Sequence, residues 1–103
     1  MGAYKISKEC EIDISEIYEY GIEKFGLKQA QEYLIGLHNL FQTLTENSGI
    51  GTDASEFYLT LKRFVYKSHM VFYLQSESGI FIVRTLSQKY GLRTSFDIII
   101  SKK

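Results

Sequence analysis

Residues 68–88 read SHMVFYLQSESGIFIVRTLSQ. Two apolar runs, rich in β-branched and aromatic side chains, flank the polar turn Ser76-Glu77-Ser78-Gly79. The pattern predicts strands over residues 69–75 and 80–86, closed into a β-hairpin by a four-residue gap containing Gly79. His69 opens the first strand and Arg84 interrupts the second. Strict alternation puts Arg84 on the face of Ile80, Ile82 and Leu86, and His69 with Val71 and Tyr73. A hairpin this apolar belongs in a core. Its two polar intruders are therefore either satisfied structural residues or parts of an active site.

Upstream, the hydrophobic period is helical. Residues 3–7 form a short strand candidate with Tyr4 and Ile6 on one face. Ser7 is placed to N-cap a helix over residues 8–25, with Glu9 and Glu11 in the first turn, where the helix dipole favours anions. Cys10, Ile14, Ile17, Gly21 and Phe25 make its apolar stripe, and Gly26 stops it as a C′ residue. Residues 27–46 carry a second stripe of Ala30, Tyr33, Leu34, Leu37, Leu40, Phe41 and Leu44, ended by Asn47-Ser48-Gly49. So short a break folds the two helices into an antiparallel hairpin. Beyond residue 50 the period falls to 2, and residues 57–65 read as a further strand. Residues 96–100, FDIII, are a last strand or an apolar tail. The expected fold is α+β: an N-terminal strand, then an antiparallel helical hairpin packed on a three- to five-stranded antiparallel sheet.

A chain of 103 residues with 45% apolar content is sized for one domain, 1–103, with one core. The single cysteine excludes an internal disulfide and favours a reducing, cytoplasmic setting. No apolar run approaches the roughly 20 residues of a membrane span, and the charged start MGAYKISKECE is no secretion signal. Ile6 stands where myristoylation needs Ser or Thr. The net charge of zero hides a polarity. Residues 1–56 carry four basic and ten acidic side chains, residues 57–103 eight and two. The basic half either meets an acidic partner or merely complements the acidic half within the fold.

Chemistry-bearing clusters are sparse. Cys10 lies on an apolar stripe, where cysteine behaves as a small hydrophobe. His38 and His69 fall on different elements, with no Cys/His cluster for a metal, and His38 reads as a boundary residue. Asn47-Ser48-Gly49-Ile50-Gly51 lacks the lysine and flanking context of a phosphate loop, so no cofactor is implied. In the basic half, Lys62, Arg63, Lys67, Arg84, Lys89 and Arg93 alternate with aromatics and are the candidate partner-binding residues. A ribonuclease using the 2′-hydroxyl as nucleophile needs a base, an acid and cations, posts that Arg63, His69, Arg84 and Tyr90 could fill. Taken singly, each is better read as structural, Arg84 pairing with a helix carboxylate such as Glu16 or Glu19.

The order Tyr4-x-Ile6-Ser7, Ile14-x-x-Ile17-x-x-Tyr20, Phe25-Gly26-x-x-x-Ala30-x-x-Tyr33-x-x-x-Leu37, then Asn47-x-Gly49-x-Gly51, resembles the ParE toxins of bacterial toxin–antitoxin systems. So does Arg63-Phe64, Ser68-His69-x-Val71-Phe72-Tyr73 and Ile82-x-Arg84-x-Leu86. The resemblance spans about residues 4–90. It implies the fold derived above, a ParD-like antitoxin as partner, and a role in plasmid or chromosome stabilisation. It implies inhibition of DNA gyrase by direct binding, without catalysis, membrane attachment or sequence-specific nucleic-acid binding. The related RelE toxins, ribosome-dependent mRNA endonucleases, supply one alternative; an inactive, antitoxin-binding member is another. The chain departs from the family pattern at Ser87, where a His is common, at Ser48, where a Pro is common, and at Cys10, where an Ala is common. The loss of a His at 87 removes one possible proton-transfer group. Zero net charge also suits a protein target better than polyanionic RNA.

Overall fold

A computed structural model describes residues 3–87. The expected strand at 96–100 lies outside them. The elements are β1 (Ala3–Ile6), α1 (Lys8–Phe25), α2 (Leu27–Glu46), a short 3-10 turn (Ser48–Ile50), β2 (Thr52–Asp53), β3 (Lys62–Tyr66), β4 (His69–Ser76) and β5 (Gly79–Ser87). The strands form one five-stranded sheet in the order β1-β5-β4-β3-β2. All pairings are antiparallel except β1 with β5, which run parallel, Ala3 opposite Gly79 and Ile6 opposite Ile82. The helical hairpin followed by a mostly antiparallel sheet is the α+β architecture expected from the change of period.

The helices start and stop where local chemistry directs. Ser7 Oγ accepts the Cys10 N–H at 2.9 Å, capping α1, and donates to the Val83 carbonyl at 2.7 Å. One hydroxyl thus ties the helix start to β5. At the other end Gly26 has φ 95° and ψ 161°, an extended conformation open essentially only to glycine rather than the left-handed helical one expected of a C′ residue. Its N–H bonds to the Ile22 carbonyl, and its own carbonyl receives the Ala30 N–H. One residue therefore ends α1 and begins α2.

On the helix side of the sheet, Leu37, Phe41 and Leu44 of α2 and Cys10 of α1 pack on Val71, Tyr73, Ile80 and Ile82. Each such large aliphatic or aromatic side chain contributes about 1.5–3 kcal/mol on full burial. Phe25, expected at the end of the buried stripe, is 56% exposed. It overhangs a cleft instead.

Two expectations are corrected. Residues 57–65 do not form one strand. The strand begins at Lys62, and residues 54–61 form a loop closed by Ala54 N–H to Leu61 O, Phe57 N–H to Ala54 O and Leu61 N–H to Tyr58 O. The β-favouring composition there serves burial. Ala54, Phe57 and Leu61 pack with Met70, Phe72 and Leu86 as a second core on the sheet face away from the helices. The other correction is parity. A register shift between Phe72 and Tyr73 leaves Tyr73 opposite Ile82 but Phe72 opposite Arg84, so Val83 is the extra residue of a β-bulge. Ile80 and Ile82 therefore face the helices, whereas Leu86 falls in the second core. His69, Val71 and Tyr73 keep the expected common frame.

Gly79 has φ 147°, and a Cβ there would sit within the van der Waals shell of the Ala3 carbonyl; one at Gly26 would meet nothing. Gly79→Ala should cost about 3–5 kcal/mol, strain plus steric clash, against about 1–3 kcal/mol of strain for Gly26→Ala. Urea unfolding of both variants checks this. Equal losses would contradict the close parallel approach of β1 to β5.

Candidate functional site

The buried polar centre lies where α1 crosses the end of β5. β1 covers the outer edge of β5 only as far as Ile82. Beyond it the carboxylate of Asp13 takes over. Oδ2 accepts the Arg84 Nε–H at 2.8 Å and the Thr85 backbone N–H at 3.1 Å, and Oδ1 accepts from Arg84 Nη2 at 2.7 Å. Both side chains of this two-pronged ion pair are about nine-tenths buried, 11% and 8% exposed. The hydrogen bonds to Asp13 push the Arg84 pKa upward, outweighing burial, which lowers it. Arg84 Nη1 is buried without an acceptor. Beside the pair, Cys10 Sγ lies 3.3 Å from Thr85 Oγ1. Burial pushes this thiol up to about 12, so it stays protonated and unreactive at neutral pH.

Arg84 thus has a helix carboxylate partner, but that partner is Asp13 and not Glu16 or Glu19, both of which are exposed. A cue was available in the sequence. Asp13 falls three residues after Cys10 and four before Ile17, on the apolar stripe itself, where an unpaired carboxylate is not tolerated. Arg84, expected among the partner-facing cations, is interior.

The second polar group is His69. Its Nδ1 lies 2.6 Å from the Tyr33 hydroxyl of α2. Burial lowers the His69 pKa and raises that of Tyr33. Both shifts favour a phenol donating to a neutral imidazole. Lys67, in the turn between β3 and β4, holds its ammonium 5.7 and 5.5 Å from the ring centres of Tyr33 and Tyr66. His69 and Lys67 border a cleft of about 650 Å³ between the end of α1 and the β3–β4 turn, lined also by Ile17, Tyr20, Phe25 and Leu86.

The other candidates disperse. Arg63 lies opposite Phe72, hence on the second-core face, and approaches Glu56 at 3.9 Å. Lys62 lies opposite Tyr73, on the helix face. Lys67 is exposed. Tyr90, Lys89 and Arg93 lie outside the described residues. Of the four residues a nuclease would need, the described three occupy separate places: Arg63 on one face, His69 on the other, Arg84 bound to Asp13. His38 is an exposed residue hydrogen-bonded to the Tyr4 hydroxyl. Among the described residues there is no cluster of three metal-ligating side chains, and no helix long and apolar enough to cross a membrane.

Sequence comparison matches residues 4–90 to the family described as ParE toxin of type II toxin-antitoxin system, parDE. The chain belongs to the ParE toxin family. Toxin ParE1 of Caulobacter vibrioides is 27% identical over 93 residues, covering 90% of this chain and 96% of that protein. Toxin ParE1 of Mycobacterium tuberculosis is 28% identical over 87 residues, 84% of this chain and 89% of that one. A solved structure described as "Chromosomal ParDE TA system from P. aeruginosa" superposes with a TM-score of 0.72 at 15% identity, over 84% of this chain and 96% of that chain. At that identity the match speaks to the fold alone.

In this ParE chain Arg84→Ala should cost about 3–5 kcal/mol by leaving the buried Asp13 uncompensated. The paired replacement Asp13→Leu with Arg84→Met should recover much of that loss in urea unfolding; simply additive losses would contradict the pairing. For His69, the unfolded imidazole takes a proton near its ordinary value of 6.5, while the folded one resists until lower pH. Its contribution is therefore complete above pH 6.5 and lost as pH falls through the folded value. Thermal melts from pH 7.5 to 5 should show His69→Phe losing less stability than the parent. An identical slope would contradict burial of a neutral imidazole.

Proposed function

We propose that this chain is the toxin of a type II toxin–antitoxin pair, acting in the bacterial cytoplasm. A ParD-like antitoxin holds it inactive, and it inhibits DNA gyrase by direct binding rather than cleaving mRNA. The observation that carries the choice is the commitment of Arg84. Phosphoryl-transfer catalysis needs cations free to meet developing negative charge. Here the one arginine of the hairpin spends its bidentate fork on Asp13, and Arg63 stands on the opposite sheet face from His69.

The antitoxin reading draws on the family and on the ParDE description of the structural neighbour. A disordered segment that folds on contact lays apolar anchors into grooves. The cleft bordered by Tyr20, Phe25 and Leu86, with Lys67 at the β3–β4 turn, suits such a segment when it carries acidic residues. Lys67 is the exposed cation at that cleft, and Lys62, Arg63, Lys89 and Arg93 are the further candidate antitoxin-binding cations.

Expression in bacteria, with DNA damage and translation followed together, tests the function. Growth arrest with induction of the DNA-damage response, relieved by antitoxin co-expression, is expected. Ribosome-dependent mRNA cleavage would establish the endonuclease instead, and antitoxin binding without arrest an inactive member. Charge reversal at Lys62, Arg63 and Lys89 together should weaken antitoxin binding at least about 10-fold and flatten its salt dependence. Unchanged affinity would remove the electrostatic part of the reading.

A further inference from the structure

β1 is the outermost described strand on its side of the sheet. In a parallel ladder, alternate residues turn both backbone groups toward the same neighbour. The Ala3 N–H bonds to the Ser78 carbonyl and the Ser7 N–H to the Ile82 carbonyl, each at 3.0 Å. Ala3, Lys5 and Ser7 are therefore the residues turned toward β5. Tyr4 and Ile6 turn their N–H and C=O groups outward, where no described strand lies. The helices leave room beside this edge. The side chains of Tyr4 and Ile6 form one wall of a groove of about 370 Å³, with Ile14 of α1 and Leu34, Ile35 and Phe41 of α2 as the others. Ile35 is 60% exposed, so the groove lies open. It shares no lining residue with the cleft beside Lys67.

The geometry points to a second antitoxin surface at this edge. An extended segment of the antitoxin adds to β1 as a further strand, with an apolar side chain seated in the groove and a carboxylate beside Lys5 on the opposite face. The proposal rests on the antitoxin reading above and adds a site to it. Outward backbone groups are recognised by backbone, so the occupant is an extended peptide, a form open to a segment that orders on binding. Alternation sends every second side chain of that peptide toward the helices, next to Tyr4 and Ile6, and the rest to the side of Lys5, which is exposed. An opposite charge beside Lys5 is favourable and a like charge is not. A second copy of this chain fits badly. Its own Tyr4 and Ile6 are packed against its own core, so it has no side chain to place in the groove. It would also bring a second Lys5 to the first.

Residue-resolved amide hydrogen exchange, followed by NMR on the full chain alone and with purified antitoxin, tests the added strand. The Tyr4 and Ile6 amides should slow at least about 10-fold in the complex relative to the Lys5 amide, which is already turned toward β5. In binding measurements, Ile35→Gln should weaken the antitoxin complex about 10-fold by removing apolar contact in the groove. Ile12→Gln, at a site 58% exposed and outside the groove, should leave affinity unchanged. Both variants should keep the parent melting temperature, and the exchange measurement, made on the unaltered chain, stands independently of them. Fast exchange at Tyr4 and Ile6 in a complex that does form overturns the added strand alone, as does equal loss of affinity in the two variants. Protection of both amides that rises with the concentration of toxin alone gives the edge to a second copy and also overturns it. An antitoxin that does not bind at all overturns the antitoxin reading, and this strand with it.

Discussion

A strand at the end of a sheet leaves a row of backbone groups without partners, and β5 meets that condition just past Ile82, where β1 turns away. The carboxylate of Asp13 resolves it. By taking the Thr85 N–H together with two nitrogens of Arg84, it stands in for the missing strand with acceptor oxygens alone. The carboxylate is supplied by α1, whose start is fixed by Ser7 against Val83. Helix placement and strand completion are therefore one constraint. A buried ion pair of this kind adds little net stability, because desolvation offsets most of its attraction. It adds specificity, since shifting α1 along β5 would strand a buried charge.

The bulge at Val83 lies at the same junction. Without the extra residue, Leu86 would continue the frame of Ile80 and Ile82 and face the helices. With it, Thr85 faces Cys10 of α1, and Leu86 joins Met70 and Phe72 on the far side. One inserted residue thus divides the apolar side chains of β5 between two cores. The far core then needs a cover, which Phe57 and Leu61 provide.

What could be read from the sequence was what local chemistry determines. The helix bounds followed from Ser7, Gly26 and the 3.6-residue stripes, and the hairpin from its two runs and Gly79, because those signals act within a few residues. The bulge gave no such signal; period 2 assumes an unbroken pleat, and parity after Val83 depends on pairing with β4. The loop at 54–61 misled because aromatic and β-branched residues suit a buried anchor as well as a strand. Arg84 was rightly given a helix carboxylate. The choice among acidic residues of α1 turned on helical phase, and Asp13 alone lies on the stripe. Of the candidate nuclease residues, Arg63 and His69 share a sequence neighbourhood but not a face, since alternation sends them to opposite sides of the sheet.

Net charge enters the functional question less directly than zero suggests. Electrostatic fields fall off over about 8 Å at physiological salt. A partner approaching one layer senses that layer rather than the total, and the sheet half is cationic. The deciding quantity is how many cations can reach a polyanion together. Strong backbone binding draws on roughly 6–10 phosphate contacts. Among the described residues of that half there are four lysines and arginines, Lys62, Arg63, Lys67 and Arg84. Arg84 is bound inside, Arg63 leans on Glu56, and Lys62 faces away from Arg63. The described cations of that half therefore do not converge on one face. Recognition of an acidic protein segment makes a smaller demand, a few cations beside an apolar cleft, and Lys67 stands at such a cleft.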